Sequence, residues 1–458
     1  MRPTGLLLVA AVSFSLSLAT AAPASTRPRY GGTLRLAVRE APASLDPTDI
    51  GQSGTISLPS ISRLIFDTLV TLDALGQVQP ALSSSWQVDP GNQRWQFSIR
   101  HGVTFHDGTA VTSDTVAASL RTANPNWKVF ATGEAVVIQC DTPTSNLPAL
   151  LALPRYGIAK RSGGKLTGTG PFAINGWEPG QKVTLTARED YWGGRAFVDS
   201  IEIDMGKSFR DEMIALDLGK ADIVEVAPDR ARHSALEGHR IENSLPAECM
   251  ALVFSRDSQS AEDANLRRVL ALSIDRAAMN DVLLQGGGEP AGTLLPDWMT
   301  GYSFLFPTAI DLAGARQLRS GVQTAPTPWA LGYDAADPLA RVIAERIALN
   351  ARDAGLTLQP TSSRATDLQL VRMALPSLDA QVALTDIASS LRLALPQFDG
   401  DPATSLYSAE RGLLQSQRVI PLLHVRNAVA LSTNVAGWQE DPDGSWRLQN
   451  VWLEAGKP

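Results

Sequence analysis

The stretch FSIRHGVTFHDGTAVTSDTV holds two of the chain's five histidines, His101 and His106, with Asp107 beside the second. Imidazole and carboxylate together could ligate a metal ion or move a proton. The spacing argues against both. Trp95–Arg100 alternates large apolar and polar side chains, as a half-buried strand does. The His-Gly and Asp-Gly pairs are turn signals. Thr112 is placed to cap a helix, with Asp114 in its first turn. Residues five apart on a strand point to opposite faces, whereas zinc ligands on one helix face recur three or four apart. His101 and His106 are therefore expected to be structural, and no metal is expected there.

Other local chemistry is absent. Lys165 in SGGKLTGTG lacks the preceding glycine of a P-loop, and the chain has no HExxH, CxxC or GxSxG run. No two acidic residues are paired by sequence for acid–base work. No enzymatic activity and no cofactor are expected. Cys140 and Cys249 are the only cysteines. Export would permit a disulfide between them, and two buried free thiols fit the sequence equally.

The elements that position these residues belong to a large acidic chain. It has 458 residues, 44% of them hydrophobic, and a formal net charge of −7. That length exceeds one comfortable core, so two or more lobes are expected. The charge and the lack of basic runs exclude non-specific nucleic-acid binding. The N-terminus carries Arg2, an apolar run Leu6–Leu18 and the small-residue site Ala19-Thr20-Ala21. This reads as a cleaved signal peptide, residues 1–21, so the mature chain is expected to be exported and periplasmic.

Along the chain, Tyr30–Glu40 is a glycine-led strand, followed by a polar loop and a helix expected over Pro59–Leu69. A small antiparallel meander runs through DPGN, HG and DG turns. DEMIALDLGKADIVEVA reads as helix, Gly219 stop and strand. PWALGYD, DPLARVIAERIALNARDAG and LTLQP form a β-α-β unit, with Gly355 ending its helix. The fold class is α/β.

The stretch IFDTLVTLDALGQVQPALSSSWQVDPGNQRWQFSIRHGVTFHDGTAVTSDTV closely resembles the family 5 solute-binding proteins of ABC transporters, the dipeptide, oligopeptide and nickel binders. GGTLRLAVREAPASLDPT, GTGPFAINGWEPGQKVTLTAREDYWGG, ANLRRVLALSIDRAAMNDVLLQGGGEPAGTLLP and the closing RVIPLLH…GW…VWL resemble further family blocks in the same order. The resemblance implies a two-lobed periplasmic binding protein type II-like fold, with an extra β-rich subdomain in lobe I. It implies lobe I over 30–248, with the meander subdomain at about 57–165, lobe II over 249–420, and a return to lobe I over 421–458. Lobe II is shortened: QFDGDPATSLYSAERGLLQSQRVIPLLH runs almost directly into the closing region, and FDGDP lacks the aromatic partners of the family's amine-binding loop.

The implied function is that of a monomeric receptor which closes on a peptide or similar small solute and delivers it to an inner-membrane ABC permease. The alternative is a stand-alone periplasmic binding or chaperone-like protein. Candidate ligand residues are Glu40, Ser44 and Thr55 from the first loop region, Trp298 and Tyr302 from LLPDWMTGY, and Asp399 or Asp401 from FDGDP. A solvated carboxylate is the competing reading for Glu40, and core packing for Trp298 and Tyr302.

Overall fold

The computed structural model describes residues 27–49, 57–323, 327–363 and 365–454. The segment read as a signal peptide, 1–21, lies outside the described residues, as does Thr55.

Strand β1 (Thr33–Ala37) is followed by helix α1 (Ser57–Ile65). The helix ends four residues before its expected end. Gly168 and Gly170 cause this from a distance. The Gly170 N–H donates to the freed Ile65 carbonyl at 2.9 Å, and a Cβ on Gly168 would lie 1.9 Å from the same oxygen. Phe66–Leu69 then leaves the helix and enters the meander. There, β2 (Ser83–Val88), β3 (Arg94–Ile99), α2 (Ser113–Ala123), β4 (Lys128–Thr132) and β5 (Ala135–Gln139) follow. The strands pair in the order β2-β3-β5-β4. Their inner residues Phe97, Val136 and Ile138 pack with Val116 and Leu120 of α2. Thr112 caps α2 through a reciprocal capping box with Thr115.

The chain then lays down β6 (Phe172–Glu178), β7 (Lys182–Ala187), β8 (Ser200–Asp204), α3 (Phe209–Asp217), β9 (Ile223–Val226), α4 (Ala231–Leu236) and the long β10 (Arg240–Phe254). After α5 (Ala261–Ser273) come β11 (Gly288–Pro290), β12 (Trp329–Gly332), α6 (Pro338–Asp353), β13 (Leu358–Thr361) and β14 (Leu368–Ala374). The closing elements are α7 (Ala380–Ser390), α8 (Pro402–Gln415) and the long β15 (Val419–Leu431). Gly219 and Gly355 follow α3 and α6 at φ +64 and +78, the left-handed stops expected of glycine.

One eleven-stranded sheet unites these strands in the order β6-β7-β8-β1-β9-β15-β10-β14-β12-β13, with β11 against β15. β1 runs parallel to β8 and β9, and β12 runs parallel to β13 and β14. These are the sheets of two lobes. β10 and β15 cross between them. The start of β10 pairs with the end of β15, while its second half lies between β14 and the start of β15. The β10–β15 register breaks on both sides of Pro246, and again between Met250 and Ala251. Proline cannot donate to a ladder, and a break frees the backbone to bend.

The cores separate accordingly. Leu34, Ile61, Phe172, Ile201 and Leu448 share one core. Met250, Leu270, Leu331, Ile343 and Leu422 share another. β10 alternates across its sheet: Met250, Leu252 and Phe254 enter the latter core, while Cys249 and Ala251 enter a fourth with Leu384 and Leu414. Cys140 and Cys249 are both free and buried, and they sit in different cores, so they do not form a disulfide.

Candidate ligand cleft

A cavity of about 980 Å³ opens where the two lobes face each other. Its walls come from residues just past the C-terminal ends of β1, β8 and β9, and from residues 334–339 beyond β12. Ligands bind at this end of open α/β sheets because the loops there converge and the helix N-termini point inward. Two helices start at the cavity. α3 is capped by Ser208 and α6 by Asp337, whose carboxylate accepts the Leu339 N–H at 3.0 Å. Charges of both signs line the space. Arg39, Lys207 and Arg210 supply cations, and Glu40, Asp229 and Asp337 supply carboxylates. Asp229 comes from the first lobe and Asp337 from the second. Burial, together with the charge of Asp337, raises the Asp229 pKa, so the two carboxylates repel across the cleft.

Beside the cavity, a chain of largely buried ionisable residues runs between the lobes. The Arg39 backbone N–H donates to the Glu225 carboxyl group at 2.8 Å, and the Glu225 backbone N–H donates to the Glu212 carboxyl group at 2.7 Å. The Arg39 guanidinium lies 4.4 Å from the centre of the Phe209 ring, and its Nη1 has no hydrogen-bond partner among the described residues. Glu248 on β10 pairs with Arg372 on β14, and Arg372 reaches Asp337 at 4.0 Å. Burial raises the carboxyl pKa values of Glu225 and Glu248. Burial also opposes the Arg372 charge, but Glu248 and Asp337 outweigh it and hold its pKa above the ordinary value. Glu212 is fully buried; desolvation and the neighbouring Glu225 push it up to about 10, so it is protonated near neutrality.

This architecture has known counterparts. A family model described as bacterial extracellular solute-binding proteins, family 5, middle, matches residues 77–391. The chain belongs to the family 5 solute-binding proteins. It is 35% identical to YhjP of Bacillus subtilis (strain 168) over 179 residues, which cover 36% of this chain and 30% of that protein. It is 23% identical to Protein XP55 of Streptomyces lividans over 417 residues, covering 82% of this chain and 74% of that protein. In fold it is similar to the dipeptide-binding protein of Pseudoalteromonas sp. SM9913, solved in complex with Met-Leu. That match has a TM-score of 0.78 at 16% identity and covers 92% of this chain and 100% of the other. Among the described residues, no helix is long and apolar enough to cross a membrane.

Within this family 5 fold, the residues singled out from sequence do not gather in one place. Glu40 lines the cavity, and its carbonyl accepts the Gly206 N–H at 3.0 Å. The Ser44 hydroxyl accepts the Asp46 N–H at 3.0 Å, shaping the loop after β1. Trp298 packs in the second lobe and donates from Nε1 to the Pro246 carbonyl at 2.9 Å. Tyr302 is buried and donates to Glu410 at 2.7 Å, with Tyr407 against its ring. Asp401 is the exposed N-cap of α8, accepting the Thr404 N–H at 3.2 Å, and Asp399 is exposed beside it. Neither aspartate lines the cavity.

His101 is exposed beside Glu134 at 3.1 Å. His106 is committed to the Gly168–Gly170 turn. Its Nδ1 accepts the Gly168 N–H at 3.3 Å, which leaves Nε2 to donate to the Gly170 carbonyl at 3.2 Å. This fixes the neutral tautomer, and burial holds the imidazole down to about 4.

The buried ion chain was missed from sequence. Its signal is a charged residue inside an otherwise apolar strand: Glu225 in DIVEVA, Glu248 in LPAECMALVF and Arg372 in LQLVRMA. Such a charge is retained in a strand only when a partner compensates its desolvation.

Proposed function

We propose that this protein is the periplasmic receptor of an ABC importer, and that its solute is a small peptide or a compound with the same zwitterionic ends. The observation that carries this reading is the inter-lobe cavity lined by charges of both signs. A ligand carboxylate fits the side formed by Lys207, Arg210 and the start of α3, where backbone N–H groups and the helix dipole favour an anion. A ligand ammonium fits between Asp229 and Asp337. There it relieves the repulsion between the two carboxylates and draws one lobe toward the other. Closure is then biased by contacts that only the closed form makes to both lobes. On this reading the amine partner is the Asp229–Asp337 pair, and Asp401 serves the α8 terminus.

Native mass spectrometry of the mature protein, purified without denaturation from the periplasm of its host, tests the reading. An adduct that fragments into amino acids supports it. An apo protein that takes up no peptide from a mixed pool, or an adduct without an amine, opposes it.

A further inference from the structure

On the face of the hinge strands opposite the ion chain, three soft donors stand in a row. Cys249 on β10 is directly opposite Met373 on β14 and directly opposite His424 on β15. Directly opposed residues share one face of a sheet, with Cβ atoms about 4.5–5.5 Å apart. All three residues line one small cavity of about 10 Å³, whose remaining wall includes Leu294, Leu375 and Ile387; Met373 itself is half-buried. That volume admits a single small atom. Cys249 is 4% exposed and His424 5% exposed. The His424 Nε2 is buried and has no hydrogen-bond partner among the described residues. An unpaired ring nitrogen at this depth ordinarily costs stability; the ring lies beside the Thr293 and Leu294 backbone, and His424 lines the same cavity as the thiol and the thioether.

We propose that Cys249, Met373 and His424 form a three-ligand site for a soft monovalent metal ion, Cu(I). Thiolate, thioether and imidazole are the donor set such an ion selects. Charge favours the same choice. When Cu(I) displaces the thiol proton, the S–H bond breaks, a Cu–S bond forms and one proton leaves, so the ion and thiolate together are neutral. An apolar cavity tolerates that pair, whereas a divalent ion would leave a net buried charge. Among the described residues, no group of three His, Cys, Asp or Glu side chains could hold a metal ion, so the site depends on the methionine. It lies between the register breaks that flank Glu248 and Cys249 on β10, where hinge bending gives the ion a way in. This site is separate from the solute cleft, and its test does not depend on what the cleft binds.

The test is anaerobic titration of the mature protein with Cu(I) held by a chromogenic chelator, followed by X-ray absorption of the loaded protein. One equivalent of Cu(I) is expected to be retained in wild type and in Cys140→Ser, with two sulfur neighbours and one nitrogen neighbour at the metal. Cys249→Ser is expected to release it. Met373→Leu conserves volume and is expected to remain folded, with affinity lower by at least about tenfold, as loss of even a supporting group produces. The proposal is overturned if wild type competes no Cu(I) from the chelator. It is equally overturned if folded Met373→Leu and Cys249→Ser bind as wild type does.

Discussion

Arg372 of the second lobe is ion-paired with Glu248 on a strand that crosses between the lobes. The Glu248 side chain is 2% exposed and that of Arg372 18%, so each depends on the other for compensation. Arg372→Met is expected to destabilise the protein by about 3–5 kcal/mol, because it leaves a carboxylate buried without its partner. The double variant Glu248→Leu/Arg372→Met is expected to recover most of that loss, since an apolar pair needs no compensation. Urea midpoints of the three proteins at constant m-value check this. A double variant as weak as the single would show that packing, not charge, sets the cost.

Glu212 gives a pH dependence of definite sign. Its carboxyl loses its proton near about 10 in the folded state, against an ordinary value of 4.5. The unfolded chain therefore ionises first, and folding stability declines as pH rises from about 4.5 toward about 10, by up to about 1.4 kcal/mol per pH unit. Glu212→Gln keeps the shape and cannot ionise. Its stability, measured by chemical denaturation between pH 5 and 9, is expected to fall less steeply than that of wild type. Parallel profiles would contradict the assignment.

His106 acts in the opposite direction. Its imidazole titrates near about 4 in the folded state and at 6.5 ordinarily. The unfolded chain takes the proton first, so this contribution is complete above about pH 6.5 and is lost as pH falls toward 4. His106→Ala is expected to cost about 1–3 kcal/mol at pH 7.5, through the two bonds it removes from the Gly168–Gly170 turn, and to flatten the acid limb. Thermal melts from pH 7.5 to 4.5 check both.

Gly168→Ala is expected to destabilise by at least about 1–3 kcal/mol, the usual cost of forcing an extra carbon into packed backbone. The obstacle is the Ile65 carbonyl, 1.9 Å from the added carbon. Equal melting temperatures for variant and wild type would show that the turn yields.

These residues also mark what the sequence could and could not disclose. Thr112 and Gly355 act on their own helices, so cap and stop were readable from a few neighbouring residues. The end of α1 was not readable, because Gly170, far along the chain, captures the Ile65 carbonyl. Trp298 and Tyr302 were expected on a cleft-facing loop, with core packing as the competing reading, and type and position alone could not say which way the rings turn. They turn inward, toward Pro246 and Glu410. Cys249, Met373 and His424 become neighbours only through strand register, which no local pattern encodes.

Titration calorimetry with defined di- to pentapeptides tests the receptor reading most directly. Micromolar binding is expected for peptides with both ends free. Affinity is expected to fall at least about tenfold, or 1.4 kcal/mol, when the amine is acetylated, when the carboxylate is amidated, or when Asp229→Asn or Arg210→Gln replaces wild type. Asp399→Asn and Asp401→Asn are expected to bind as wild type. No binding heat with any peptide, or binding abolished by Asp399→Asn or Asp401→Asn but untouched by Asp229→Asn, would contradict the assignment of this cleft.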